Sequence, residues 1–174
     1  MKKILGITFI MVFCHLKLYS QTDIAYEIRN INLEIRQSRM IPYNHVKLVF
    51  SHLKNKVVVK IESNTGEDSE KWDYSRINKT FNISIEDFLE LKNSLEKIEL
   101  KDIFKVAEYS YKDGYVNSLS YGGFGGTVSL KFQTPSSRTQ ERGIEDYLKA
   151  CILILKKGRF EDSVIKKILQ VENL

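Results

Sequence analysis

The chain has 174 residues, of which 43% are hydrophobic and 28% charged, and its formal net charge is +5. Three of its 27 basic residues are lysines within residues 1–20, and without them the net charge falls to +2. So small a surplus does not indicate nucleic-acid binding. We therefore expect no nucleic-acid partner, and we expect lysines such as Lys54, Lys56, Lys60 and Lys166 to form a solvated surface.

The first twenty residues have the layout of a secretory signal peptide. Lys2 and Lys3 precede an uncharged apolar run at residues 4–14, and a short polar stretch then ends at Ser20. Eleven apolar residues are too few for a permanent membrane anchor, because a helix that spans a bilayer needs about 20. We therefore predict a signal peptide at residues 1–20 and export to the periplasm or the extracellular space.

Acylation of Cys14 would make the chain a lipoprotein instead, but Phe13 stands where lipoprotein processing requires a small residue. After signal removal Cys151 is the single cysteine, so no internal disulfide forms and the domain depends on its core. A chain of this length buries roughly 70% of its unfolded surface. We predict a single α+β domain over residues 21–174, without stable membrane insertion.

Two β-hairpins are predicted from alternating apolar residues. Residues 45–62 alternate on both sides of the turn sequence LKNK, and residues 115–132 do so on both sides of GGFGG. Residues 24–36 fit either a helix or a strand, and we prefer a strand. A polar connection at residues 62–78 then leads into a short strand at residues 80–83.

Three helices are predicted from apolar residues at helical spacing. The first begins at the N-cap Ser84, with Asp87 three residues later as a weaker form of the capping box. The second ends near Gly158, and the third covers about residues 161–170. The second has a wide apolar stripe, which consists of Ile144, Tyr147, Leu148, Cys151, Ile152 and Leu155. Hairpins followed by helices predict an α+β fold, in which a mostly antiparallel sheet built from two hairpins packs on two to three helices.

The segment SLSYGGFGGTVSL, residues 118–130, has the glycine content of a phosphate-binding loop. A Walker loop needs Gly-x-x-x-x-Gly-Lys-Ser/Thr, and the dinucleotide fingerprint needs Gly-x-Gly-x-x-Gly between a strand and a helix. Here the lysine is missing and both neighbours are predicted strands, so no helix N-terminus is available to an anion. We interpret the glycines as positive-φ residues of a hairpin connection and expect no cofactor.

The remaining polar residues predict no catalytic or metal site. His45 and His52 are seven residues apart in one predicted strand, which places them on opposite faces. Cys151 lies on an apolar helical stripe, where burial raises the thiol pKa and keeps the thiol unreactive. The acidic residues at 67–73 lack the spacing of a calcium-binding loop, and we expect a solvated loop there.

Five aromatic residues on and beside the second hairpin form the predicted binding site. They are Tyr109, Tyr111, Tyr115, Tyr121 and Phe124. Tyrosine offers a large amphipathic contact area and is enriched at interfaces. Aromatic packing between neighbouring strands is the alternative explanation.

These observations favour a small exported protein that binds a macromolecular partner, such as another protein, without catalysing a reaction, as inhibitors and immunity proteins do. Two alternatives stay open. The first is a secreted or periplasmic hydrolase or carbohydrate-active enzyme that uses carboxylates such as Glu108 and Asp113, since paired carboxylates act as acid and base about 5 to 10 Å apart across a cleft. The second is a structural protein of the cell envelope.

Overall fold

Six strands form one antiparallel sheet in a computed structural model that describes residues 27–37, 45–64, 77–99 and 115–172. The strands are β1 (Asn30–Gln37), β2 (His45–Leu53), β3 (Lys56–Asn64), β4 (Ile77–Ile83), β5 (Tyr115–Gly123) and β6 (Gly126–Gln133). The helices of the described residues are α1 (Ile85–Glu96), α2 (Glu145–Lys157) and α3 (Asp162–Leu169). The strand order across the sheet is β4-β3-β2-β1-β5-β6, and the predicted α+β fold with its two hairpins is confirmed.

Strand β1 lies at the centre of the sheet, between the two hairpins. It pairs with β2 on one side and with β5 on the other, which satisfies its backbone groups along both edges. Ile31, Leu33 and Ile35 point into the core and are fully buried. The preference for a strand is therefore confirmed over residues 30–36. Strands β3 and β4 are both longer than predicted, because β3 extends to Asn64 and β4 begins at Ile77.

One face of the sheet packs against the helices in a single hydrophobic cluster. Alternate residues of β1, β2 and β3, such as Ile31, Leu48 and Val59, are buried in this cluster, as the two-residue period of a strand requires. The helices contribute Phe88, Leu91, Leu95, Tyr147, Ala150, Cys151, Ile154, Leu155, Ile165, Ile168 and Leu169. Burying a large aliphatic or aromatic side chain contributes about 1.5–3 kcal/mol, so this cluster is the main source of stability.

Helix α1 begins at Ser84 as predicted. The Ser84 Oγ accepts a hydrogen bond of 3.0 Å from the Asp87 amide. The Asp87 carboxylate in turn accepts a hydrogen bond of 2.6 Å from Lys157 of α2, and the Lys157 ammonium also lies 2.6 Å from Glu90. The hydrogen bond with Lys157 lowers the pKa of Asp87, and the bonds to Asp87 and Glu90 raise the pKa of Lys157. This group of charges joins α1 to α2.

The buried stripe of α2 is shifted from the predicted one. Ala150 and Ile154 are buried, whereas Leu148 and Ile152 of the predicted stripe are half-buried. Apolar residues cover so much of this helix that spacing alone leaves the centre of the stripe uncertain by one position. The helix ends at Gly158, where a Cβ atom would overlap with the side chain of Leu48.

Candidate functional site

The structure separates the five aromatic residues of the predicted binding site. Tyr109 and Tyr111 lie outside the described residues. Tyr115 is fully buried, Tyr121 is half-buried against the core, and Phe124 is 89% exposed. Tyr115 and Tyr121 both occupy inward-facing positions of β5, so cross-strand and core packing explains them. A binding surface of the folded chain cannot include Tyr115, and of the described aromatic residues only Phe124 is fully accessible to a partner.

Tyr115 and Tyr147 form hydrogen bonds inside the core. The Tyr115 hydroxyl donates to the backbone carbonyl of Leu169 at 2.7 Å, and the Tyr147 hydroxyl donates to the Oδ1 atom of Asn117 at 3.0 Å. Burial raises the pKa of both phenols well above its usual value, so both stay neutral. Tyrosines of this kind connect elements of the fold and are not available for catalysis or binding.

Cys151 lies in the same part of the core and is fully buried, as predicted. Burial raises the pKa of its thiol to about 12. The thiolate is the nucleophilic form of cysteine, and at neutral pH almost none of it is present here. Cys151 is therefore a packing residue.

The two histidines of β2 lie on opposite faces of the sheet, as the seven-residue offset predicts. The Nε2 atom of His45 is 2.8 Å from a carboxylate oxygen of Glu34. His52 faces the helices, where its ring centroid is 5.4 Å from that of Phe88. Within the described residues, no group of three His, Cys, Asp or Glu side chains is arranged to hold a metal ion.

The glycine-rich segment forms the end of the second hairpin, as predicted. Phe124 and Gly125 are the two turn residues between β5 and β6. A Cβ atom on Gly122 would overlap with the backbone of the facing strand, and one on Gly123 would overlap with the carbonyl oxygen of Glu27. Gly122 and Gly126 have the predicted positive φ, at 159° and 155°. Close approach of two backbones is a further reason for glycine at Gly122 and the main reason at Gly123.

The ends of both hairpins and the residues just before β1 enclose a groove of about 690 Å³, which we name the hairpin-tip groove. Its main lining residues are Arg29, His52, Leu53, Lys54, Lys56 and Phe124. They come together because β1 runs antiparallel to both β2 and β5, so its first residues lie beside both turns. Two backbone hydrogen bonds of 2.8 Å hold the segment in place, from the Arg29 amide to Gly122 and from the His52 amide to Arg29.

Two large apolar side chains stand at the rim of the groove without packing into the core. Leu53 at the end of β2 is 51% exposed and Phe124 is 89% exposed. Single exposed apolar residues are common on protein surfaces. Two of them on opposite walls of one concave site are typical of a place where a partner or ligand binds.

The polar part of the groove is cationic. Arg29 is paired with Glu27, with 3.1 Å between the guanidinium and the carboxylate, and its guanidinium carbon lies 5.1 Å from the centre of the Phe124 ring. Lys54 and Lys56 are exposed on the other wall. No carboxylate lines the groove among the described residues. The groove therefore combines apolar rims with an excess of positive charge.

Sequence reasoning found only one residue of this groove, Phe124. The sequence predicts an ordinary turn and a solvated surface for Leu53 and the lysines beside it, and Arg29 lies in the segment that fits either a helix or a strand. The available signal was a large apolar residue at the end of each predicted hairpin. That the two ends are neighbours depends on β1 lying between the hairpins, which is a long-range pairing.

No protein-family model matches the chain, and no curated protein is similar to it. In the part of the chain that the structure describes, none of the helices has the length and apolar character needed to cross a membrane. Function therefore has to be inferred from the groove and from the sequence.

Proposed function

We propose that this chain is a small exported protein without catalytic activity, which binds another protein through the hairpin-tip groove, as inhibitors and immunity proteins bind their targets. The observation that carries the proposal is the exposure of Leu53 and Phe124 on opposite walls of one cationic groove. Burying an apolar side chain of this size contributes about 1.5–3 kcal/mol. Phe124 is 89% exposed and Leu53 is 51% exposed, so most of this energy for Phe124 and about half of it for Leu53 is available for binding.

The chemistry of the groove supports binding over catalysis. Its lining residues supply cations, one imidazole, two asparagine amides and apolar surface, and the imidazole of His52 contacts the Phe88 ring. The single thiol of the described residues is buried. The hydrolase alternative rests on Glu108 and Asp113, which lie outside the described residues, and no observed contact favours it.

Export is the second part of the proposal, and it rests on the composition of residues 1–20, which lie outside the described residues. Mass spectrometry of the exported protein is expected to find an N-terminus at or near Gln21. Exported protein that retains residues 1–20 intact would contradict the signal peptide.

Site-specific photo-crosslinking tests the binding site. The photoreactive residue p-benzoylphenylalanine replaces Phe124 in one version of the full chain and Leu89 in another, and both are produced in the source cells. Leu89 is 47% exposed on α1, does not line the groove, and serves as the matched control. We expect one defined protein adduct from position 124 and none from position 89. Equal adducts at the two positions, or no adduct at position 124, would refute the proposal.

Alanine variants give the energetic test once an adduct identifies the partner. Interface hot spots cost about 2 kcal/mol or more on truncation, which is about a thirtyfold increase in the dissociation constant. We expect losses of this order for Leu53→Ala and Phe124→Ala, with unchanged thermal unfolding. The control variant Leu89→Ala should leave affinity within a factor of about two.

A further inference from the structure

We infer that the hairpin-tip groove binds an acidic peptide segment of its partner, in which one large apolar side chain stands between carboxylates. This inference rests on the proposed function and deepens it by naming the chemical class of the bound segment. It depends on three properties of the groove, namely its excess of positive charge, its apolar walls and its concave shape.

The excess positive charge of the groove comes mainly from two lysines. Lys54 and Lys56 are exposed in the groove and form no ion pair within the described residues. Farther along β3 the situation differs, since Lys60 pairs with Glu62 at 2.5 Å. In the free chain water solvates the two groove lysines. A partner that covers them removes this water, and the cost is offset only if the partner brings negative charge. Carboxylates in the bound segment meet this requirement.

Arg29 adds a directed site for a carboxylate. A guanidinium has five N–H donors, and Glu27 engages only the Nε atom and one terminal nitrogen of Arg29. The pair with Glu27 and the contact with the Phe124 ring restrict the position of the guanidinium. Because its position is already restricted, Arg29 loses little side-chain entropy when a second carboxylate binds to its remaining donors.

The apolar walls specify what stands between the carboxylates. Leu53 and Phe124 face the groove from the two hairpin ends, with Arg29 between them along the sheet. A volume of about 690 Å³ lies within the range of sites that enclose a ligand of several side chains. One aromatic or large aliphatic side chain of the partner, placed between the walls, would bury the exposed surfaces of both Leu53 and Phe124.

The concave shape favours a peptide segment over a membrane or a nucleic acid. A planar anionic membrane would touch the two tips, and the donors of Arg29 that Glu27 leaves unused would gain no second negative partner. A single nucleic-acid strand needs aromatic platforms for successive bases. The described part of the groove offers one ring without a ring partner, that of Phe124, because the His52 ring packs against Phe88.

The test uses fluorescein-labelled nonapeptides with the full chain after export. The first peptide has one phenylalanine between two pairs of glutamates, the second has glutamine for glutamate, and the third has alanine for phenylalanine. Fluorescence anisotropy is measured at low and at physiological ionic strength. We expect the first peptide to bind at least about tenfold more tightly than either of the others, and its affinity to fall as salt screens the charges.

Charge reversal tests the cations. Lys54→Glu and Lys56→Glu are each expected to weaken binding of the acidic peptide about tenfold. Lys166→Glu makes the same charge change at an exposed position of α3 and should leave affinity unchanged. A loss equal to that of the groove variants would show that net charge alone, and not the groove, drives binding.

Besides an equal loss in Lys166→Glu, five results would overturn the inference. They are equal binding of the glutamine peptide, equal binding of the alanine peptide, no measurable binding of any peptide, tighter binding of a single-stranded oligonucleotide, and tighter binding of vesicles that contain phosphatidylserine. A specific adduct at position 124 together with any of these results would leave the proposed protein binding in place and refute only the acidic segment. Absence of the adduct refutes the proposed function itself, so the two failures are distinguishable.

Discussion

The Tyr115 hydroxyl donates a hydrogen bond of 2.7 Å to the backbone carbonyl oxygen of Leu169. The bond joins the first residue of β5 to the last residue of α3, and it lies in the buried part of the protein. The last carbonyl groups of a helix have no hydrogen-bond donor within the helix. The Tyr115 hydroxyl is the donor for one of these carbonyl groups, that of Leu169. A residue that the sequence places in a binding surface is thus part of the structural core.

Removing this hydroxyl should destabilise the fold. In Tyr115→Phe the Leu169 carbonyl stays buried without its donor, which costs about 1–3 kcal/mol. Urea unfolding followed by circular dichroism measures the change in the free energy of unfolding. Tyr121→Phe, on the same strand and the same face, is the control and should change stability by less than about 0.5 kcal/mol. Equal losses in both variants would contradict the structural role of Tyr115.

Cys151 is expected to be unreactive in the native state. It is fully buried, and burial raises the pKa of its thiol to about 12, so the native chain at neutral pH presents neither access nor thiolate. Iodoacetamide labelling at pH 8, with peptide mass spectrometry to locate the label, should show slow modification of Cys151 in buffer and fast modification in denaturant. Fast labelling of the native protein would show that α2 packs with another face toward the core.

Local patterns were sufficient for the hairpins and helices because both depend on neighbouring residues. The alternation of Val57, Val59 and Ile61 predicts a strand, and the hydroxyl of Ser84 before Asp87 predicts a helix start. The same alternation shows that Tyr115 and Tyr121 share a face. It does not show whether that face is buried, because that depends on where the helices pack.

The groove could not be predicted for a related reason. Arg29, Leu53 and Phe124 belong to three segments far apart in the chain, and the order of the strands brings them together. Residues 24–36 fit a helix as well as a strand when taken alone. Pairing of β1 with both hairpins decides between the two, and that pairing is a property of the whole sheet.

The charges between α1 and α2 predict a dependence of stability on pH. The bond with Lys157 lowers the pKa of Asp87 in the folded state. The ionised Asp87 carboxylate therefore stabilises the fold fully above its unfolded-state pKa of about 4, and this stabilisation is lost as the pH falls through the lower folded-state pKa. Asp87 is 38% exposed, so solvent limits the contribution to less than about 1 kcal/mol. Lys157→Met should therefore lower stability at pH 7 and flatten its decline on acidification below pH 5.

A control is needed because any lost lysine changes the net charge. Lys166→Met removes an exposed lysine of α3 and should leave the acid limb of the stability curve unchanged. Urea unfolding at a series of pH values from 3 to 8 gives both curves. A Lys157→Met curve parallel to that of the unaltered chain would exclude a contribution from the Asp87 pair.

Adding one methyl group at Gly123 should disturb the groove by displacing the segment before β1. The Cβ atom of Gly123→Ala would overlap with the carbonyl oxygen of Glu27 and push the segment before β1 away from β5. The hydrogen bond of 2.8 Å from the Arg29 amide to the Gly122 carbonyl would then lengthen or break. Hydrogen exchange measured by NMR should show a protection loss at the Arg29 amide that exceeds the loss in the centre of β1.

Gly158→Ala separates this local effect from general destabilisation. Gly158 lies at the end of α2, away from the groove, and a Cβ atom there would overlap with the side chain of Leu48. The overlap disturbs core packing, so the variant should be less stable than the unaltered chain. Exchange at the Arg29 amide should then rise only as much as global unfolding rises. If both variants accelerate hydrogen exchange at the Arg29 amide equally, the segment before β1 has no local stability of its own. A selective effect of Gly123→Ala, together with weaker binding of the acidic peptide, would show that close backbone packing at Gly123 holds Arg29 in its binding position.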